Sequence, residues 1–128
     1  MQMTQQEWGI VILRIGLAAL FLWFGFSQIF DSVNWVSWVP EWAVNVLHLP
    51  PAMIVLLNGA FEIIAGGLLA LNIFTRWVAL LLALHLLVLV IDIGANAIGV
   101  RDFGIMMATF ALALLVKGEP RPNSASVL

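Results

Sequence analysis

Two long apolar runs dominate the pattern of hydrophobic and polar positions along this chain. The first covers residues 8–30 and is interrupted only by Arg14 and Gln28, and the second covers residues 52–91. A helix needs roughly 20 apolar residues to cross the hydrocarbon core of a bilayer, so the second run is long enough for two crossings. This pattern predicts that the second run folds back on itself.

Four membrane helices follow from these runs and from the breaks between them. Asn72 can end one helix and Thr75 can cap the next, which predicts a tight antiparallel hairpin of the second and third helices. Asn96 and the flanking Gly94 and Gly99 disfavour helix before the fourth. We therefore predict one transmembrane domain over residues 1–117 and a polar tail over 118–128, with helices at about 8–30, 52–73, 75–95 and 102–117.

The fourth predicted helix is short, because its apolar stretch covers only residues 103–116. We expect it to begin below the membrane surface, which would leave Arg101 partly submerged. Gly104, Ala108 and Ala111 form a small-residue face on this segment. Such a face lets another helix approach closely, so we expect the fourth helix to pack against a neighbour there.

The loop between the first two membrane helices has a helical pattern of its own over residues 34–49. Trp35, Trp38 and Trp42 recur on one side, and polar residues occupy the other side. Pro40 suits the first turn of a helix from about 40 to 49, and indoles favour the headgroup layer. The pattern predicts an interfacial amphipathic helix, acting either as an aromatic anchor or as a lid over a lateral opening.

Composition supports a membrane protein built only from helices. The chain is 63% hydrophobic and 9% charged, far below the roughly 25% charged residues of soluble domains. Only helices or closed barrels satisfy their backbone hydrogen bonds within lipid, and the apolar runs are too long and too regular for barrel strands. The predicted fold is therefore an all-α integral membrane four-helix bundle, with an interfacial amphipathic helix between helices 1 and 2.

Basic residues indicate the orientation of this bundle. Arg76, Lys117 and Arg121 lie in the second-to-third turn and in the tail, whereas the long first loop has no basic residue. Cytoplasmic segments carry the excess of lysine and arginine, so we expect both termini in the cytoplasm. The net charge is only −2, and no basic stretch points to nucleic acid.

Polar residues inside the predicted spans mark the candidate site. Each costs roughly 2.5 to 3.5 kcal/mol on insertion scales when ionised, so such residues usually face the bundle interior. Helical spacing gives each of the first three helices one polar face. By depth, these faces form a lower layer of Arg14, Glu62 and His85 and an upper layer of Gln28, Asn58, Asp92 and Asn96, with Arg101 and Asp102 near the rim.

The three residues of the lower layer can be interpreted in two ways. Arg14 and Glu62 could form a buried ion pair that fixes helix register, with His85 donating a hydrogen bond to it. Alternatively, the layer is a protonatable site, because histidine changes charge closest to neutral pH. A quinone headgroup suits such a site, since its carbonyls need a donor and its reduction consumes protons. The primary candidates for ligand binding or proton relay are Arg14, Glu62, His85 and Asp92.

Other cofactors fit the sequence less well. His85 is the only histidine within a predicted span, which disfavours bis-histidine haem ligation within this chain. Glu62, His85 and Asp92 are too widely spaced to favour a metal site. The chain has no cysteine, so it cannot carry out thiol exchange itself. It also has no phosphate-binding loop or nucleophile elbow, so we do not expect a self-contained enzyme.

The sequence resembles the DoxX family of small four-helix membrane proteins over most of residues 13–115. The matching motifs are Leu-Arg-Ile-Gly at residues 13–16 with a later Gly25, and residues 62–69, which lead into Thr75-Arg76. Family members often carry a lysine where this chain has Gln28, and a glycine where it has Asn72. The resemblance implies a subunit of the bacterial inner membrane associated with redox systems. It also implies that Arg14 and Glu62 are among the functional residues.

Three functional hypotheses follow. The first is an auxiliary subunit of a membrane redox system, whose polar interior contacts a quinone or a similar lipophilic molecule. The second is a small-solute or proton transporter that uses Glu62, His85 and Asp92 as a relay. The third is a structural subunit that docks a larger membrane complex through its small-residue faces. The expected partners are the lipid bilayer and either a redox protein or further copies of the chain.

Overall fold

A computed structural model of the protein describes residues 2–116. Every regular element in that part of the chain is a helix. Four helices are long and apolar enough to cross a membrane, which confirms the predicted all-α membrane fold. Those four are α1 (Gln5–Phe30), α3 (Pro51–Ala70), α4 (Thr75–Ile93) and α5 (Ala97–Leu115), and the short α2 (Glu41–Leu47) lies between α1 and α3.

The first and last of these helices begin earlier than the apolar pattern predicted. The Thr4 hydroxyl accepts the Glu7 backbone N–H, and the Glu7 carboxylate accepts the Thr4 N–H. This reciprocal cap starts α1 in polar sequence. Asn96 likewise caps α5 by accepting the N–H groups of Ile98 and Gly99. The prediction of a short fourth helix from 102 was wrong, because hydropathy marks the apolar part of a helix and misses its polar first turns.

The membrane helices pack as two antiparallel pairs, α1 with α3 and α4 with α5. Backbones in the first pair nearly touch, since a Cβ on Gly25 would lie 2.8 Å from the Gly59 carbonyl oxygen. Glycines allow this close approach between membrane helices. α3 and α4 form the predicted antiparallel hairpin, joined by the four residues 71–74, but the glycine face of α3 is turned towards α1, so α3 packs more extensively on α1 than on α4. The two pairs meet each other over a much smaller area.

The connection between α3 and α4 confirms that Asn72 ends the second membrane helix, but it differs from the prediction for Thr75. The N–H groups of Asn72 and Ile73 bond the Leu69 and Leu68 carbonyls in a Schellman motif. Asn72 and Phe74 both adopt left-handed backbone conformations, with φ of 58° and 51°. Phe74 is the N-cap residue of α4, and Thr75 is the first helical residue. The Thr75 hydroxyl donates to the Asn72 side chain at 2.6 Å. Thr75 therefore stabilises the turn and does not cap the helix.

The hydrophobic core occupies the half of the bundle next to this turn. Its centre contains Leu17, Leu69, Leu82 and Leu112, all at most 6% exposed. The predicted contact face on α5 takes part in this packing only through Ala108, which lies against the edge of the core, whereas a Cβ added at Gly104 would meet nothing within 4 Å. Within residues 2–116, Gly104 is exposed and Ala108 and Ala111 are half-buried.

The segment between α1 and α3 contains two short 3₁₀ turns, Ser32–Asn34 and Val36–Trp38, followed by α2. Pro40 is the N-cap residue of α2 and precedes its first turn. His48 ends the helix in a left-handed conformation with φ of 56°, so α2 is shorter than the predicted 40–49. The predicted polar tail from Gly118 lies outside the described residues.

Candidate functional site

A cavity of about 840 Å³ lies between the two helix pairs, in the half of the bundle covered by α2. It exists there because the pairs contact each other closely only in the opposite half, where the core is packed. Three indoles, those of Trp35, Trp38 and Trp42, line the cavity on the side of α2 and the 3₁₀ turns. Its membrane-helix walls include Phe24, Phe61 and Leu89.

A closed hydrogen-bonded triangle of Gln28, Asn58 and Glu62 lies on one wall of the cavity. The Gln28 amide donates to Glu62 Oε2 at 3.0 Å. The Asn58 amide donates to Gln28 Oε1 at 2.7 Å and to Glu62 Oε1 at 3.2 Å. Glu62 is only 5% exposed, and a buried carboxylate requires such donors. The triangle joins α1 to α3 where their backbones are closest.

His85 faces this triangle from α4. Its Nε2 lies 3.8 Å from Glu62 Oε1, which is longer than a hydrogen bond. This Nε2 is buried and has no hydrogen-bond partner among the described residues. The imidazole ring meets the Phe61 ring edge-on, with 5.0 Å between centroids. The structure thus brings Glu62 and His85 together, as the depth argument predicted.

Arg14 is not part of this cluster, and the predicted ion pair with Glu62 was wrong. Its guanidinium donates to the backbone carbonyls of Leu69 and Ala70, at 2.6 and 2.9 Å. These carbonyls are at the C-terminal end of α3, where the helix dipole favours a cation, and the Leu69 carbonyl accepts the Asn72 N–H as well. Leu69 is seven residues beyond Glu62, about 10 Å along the helix. Arg14 therefore joins α1 to the end of α3.

The other predicted polar residues lie nearer the covered end of the bundle. Asp92 lines the cavity and accepts the Trp42 indole N–H at 3.1 Å, which ties α2 to α4. Arg101 pairs with Asp102 at 3.0 Å, and its guanidinium lies 5.4 Å from the centre of the Phe24 ring. Asn96 does not line the cavity, because its side chain caps α5.

Sequence reasoning anticipated the three indoles, as a lid over a lateral opening, but missed the aromatic residues that the membrane helices contribute to the site. Phe24 is four residues before Gln28 on α1, and Phe61 is three residues after Asn58 on α3, so helical spacing from the polar residues could have identified both. The hydrogen bond from Trp42 to Asp92 joins residues 50 positions apart. No spacing pattern in the sequence indicates that these two residues meet. No group of three or more His, Cys, Asp or Glu residues within 2–116 could hold a metal ion.

Comparison with known proteins identifies the family. No curated protein and no solved structure matches this chain. Residues 9–95 match the DoxX family profile, which covers α1, α2, α3 and α4 and therefore well over half of the chain. The match includes Gly25, Glu62 and the turn into Thr75-Arg76, on which the resemblance rested. The chain is a member of the DoxX family of membrane proteins.

Proposed function

We propose that the protein is an auxiliary subunit of a membrane redox system, and that its central cavity binds a quinone or a similar lipophilic molecule. The observation that carries this proposal is the combination of a large, mostly apolar cavity with a few converging polar groups. Sites for lipophilic ligands typically have this composition and a volume of roughly 300 to 1,000 Å³. Glu62 and His85 supply the polar end, and aromatic rings supply the walls.

The position of the cavity supports binding over permeation. The core around Leu69, Leu82 and Leu112 fills the other half of the bundle, so no continuous polar path continues below Glu62 in the described residues. A relay through Glu62, His85 and Asp92 would need such a path to cross the bilayer. A cavity that ends at a packed core suits a ligand that enters and leaves on the same side.

The proposal includes the orientation of the bundle in the membrane. Arg76 lies at the turn between α3 and α4, at the packed end, and α2 with its connecting segments has no basic residue. By the positive-inside rule, the packed end and both termini face the cytoplasm of a bacterial inner membrane. The cavity then lies in the outer half of the bilayer, and α2 and the 3₁₀ turns before it lie at the outer interface, with their indoles at the level of the headgroups.

Lipid extraction with native mass spectrometry tests the proposal on protein purified from its own membrane in mild detergent. We expect a quinone-type lipid or a redox partner at stoichiometric amount. Leu89→Trp should displace a bound lipid by filling the cavity, since Leu89 lines it. The matched control is Leu87→Trp, because Leu87 is 40% exposed and does not line the cavity. An empty protein, or equal retention by both variants, would contradict the proposal.

A further inference from the structure

The polar end of the cavity contains one nitrogen that the protein's own contacts leave unused. His85 Nε2 is buried and accepts or donates no hydrogen bond within residues 2–116. Buried polar nitrogens are nearly always paired. This nitrogen faces Glu62 Oε1 across 3.8 Å, and both residues line the cavity.

Glu62 retains the capacity to accept a further hydrogen bond. A carboxylate offers about four lone-pair positions, and within residues 2–116 only the amides of Gln28 and Asn58 donate to Glu62. Every hydrogen bond that this side chain makes is one that it accepts. A ligand group that approaches Oε1 must therefore bring a hydrogen of its own.

A single oxygen atom could contact both groups. Given the 3.8 Å between Nε2 and Oε1, an oxygen at about 2.7 Å from each, a usual hydrogen-bond length, would see them at an angle of about 90°. A hydroxyl group can donate its one hydrogen to Glu62 and accept, through an oxygen lone pair, from His85 in the tautomer that carries its hydrogen on Nε2. A carbonyl oxygen has only lone pairs, which would face the lone pairs of the carboxylate.

The surrounding rings suit an aromatic hydroxyl. Phe61 contacts the imidazole edge-on, and Phe24 and Leu89 line the cavity on other helices. These side chains offer apolar contact to a flat ring next to the polar pair. An aliphatic alcohol would gain less from such walls, because aromatic pairs contribute about 0.5–1.5 kcal/mol beyond the area that they bury.

We propose that the cavity selects the reduced, hydroxyl-bearing form of its ligand, an aromatic diol of the quinol class, over the oxidised dicarbonyl form. The ligand hydroxyl donates to Glu62 Oε1 and contacts His85 Nε2. This inference rests on the proposed function and adds to it the redox state that the site prefers. A subunit with this preference would hold quinol for a partner that oxidises it.

Three small ligands that differ only in their oxygen chemistry test this selectivity. Tetramethyl-1,4-benzoquinol, its quinone and its dimethyl ether are titrated calorimetrically, without oxygen, into the purified full chain in lipid nanodiscs. We expect the quinol to bind at least about tenfold more tightly than the other two, since a hydrogen bond to a charged group contributes about 1.5–3 kcal/mol. The dimethyl ether shows how much of the affinity depends on the hydroxyl hydrogens, because it keeps the ring and both oxygens but cannot donate a hydrogen bond.

Two glutamate-to-glutamine variants then test whether Glu62 causes the preference for quinol over quinone. Glu62→Gln should narrow the quinol-to-quinone ratio to about threefold or less, because an amide can donate to a carbonyl. Glu7→Gln makes the same chemical change at the α1 cap, where glutamine also completes the capping box, and should leave the ratio unchanged. A Glu62→Gln ratio equal to that of the wild type would overturn the role of this carboxylate.

The wild-type comparison alone decides the inference, even if Glu62→Gln does not fold. Equal binding of quinol and quinone would overturn the selectivity and leave the proposed function standing. Tighter binding of the quinone would overturn it as well. Failure of all three ligands to bind saturably would instead contradict the proposed function.

Discussion

Gly25 controls the distance between α1 and α3, and hence the geometry of the candidate site. In Gly25→Ala, the new methyl group would lie 2.8 Å from the Gly59 carbonyl oxygen and 2.9 Å from the Ile63 nitrogen. Restoring the ordinary contact distance of 3.4 Å requires a separation of about 0.6 Å. The bond from Gln28 to Glu62, now 3.0 Å, would lengthen to about 3.6 Å and break.

The expected loss of stability follows from these two effects. Overpacking of a close contact costs about 1–3 kcal/mol, and the lost bond to a charged group costs about 1.5 kcal/mol or more. We therefore expect Gly25→Ala to lower the free energy of unfolding by about 3–4 kcal/mol. Reversible unfolding by SDS in mixed micelles, followed by circular dichroism, measures this difference.

Gly67→Ala is the matched control for this substitution. Gly67 is also in the interior of a membrane helix, but a Cβ there meets nothing within 4 Å. Alanine is the better helix former by about 1 kcal/mol in soluble helices, so Gly67→Ala should be neutral or slightly stabilising. If Gly25→Ala unfolds at the same SDS fraction as the wild type, or if both variants are equally destabilised, the reasoning from backbone contact is refuted.

Three further predictions concern Arg14, Trp42 and Asn72. Arg14→Leu should lower stability by about 2 kcal/mol through lost bonds to the end of α3. In a double-mutant cycle, the coupling energy between Arg14→Leu and Glu62→Gln should stay below about 0.5 kcal/mol. A larger coupling would show that Arg14 and Glu62 interact after all. Trp42→Phe removes the indole N–H that bonds Asp92 and shortens the ring that lines the cavity, so stopped-flow should show faster ligand dissociation; an unchanged rate would argue against α2 as a lid. Asn72→Ala should lower stability by about 2–3 kcal/mol, because alanine is strained at a φ of 58° and cannot accept the Thr75 hydrogen bond, whereas Asn72→Gly relieves the strain and should lose only the roughly 1 kcal/mol of that bond.

The membrane fold was accessible from sequence because lipid imposes length and polarity limits that apolar runs display directly. Helix pairing was not, since Gly25 and Gly59 approach each other across loops whose path hydropathy does not specify. Sequence also could not show that α4 packs mainly on α5, or that α3 turns its glycine face to α1 and not to its hairpin partner α4.

Part of the candidate site was also predictable from sequence. Depth along each helix correctly brought Glu62 and His85 together, because helical rise is constant. It misplaced Arg14, whose long side chain reaches carbonyls that no side-chain pattern reveals. It misplaced Asn96 because a residue just before a helix acts on that helix's N–H groups. Polar residues near helix ends therefore need a capping explanation before a functional one.

Photoaffinity mapping tests the central claim, that the cavity binds a lipophilic ring molecule. The purified protein is labelled in nanodiscs with a benzoquinone that carries a photoreactive azide, with and without excess tetramethyl-1,4-benzoquinol, and the labelled residues are found by mass spectrometry. We predict labels on cavity residues such as Phe61, His85 and Leu89, and their loss on competition. Labels confined to exposed membrane-facing residues such as Ile12 and Trp23, unchanged by the competitor, would contradict the claim.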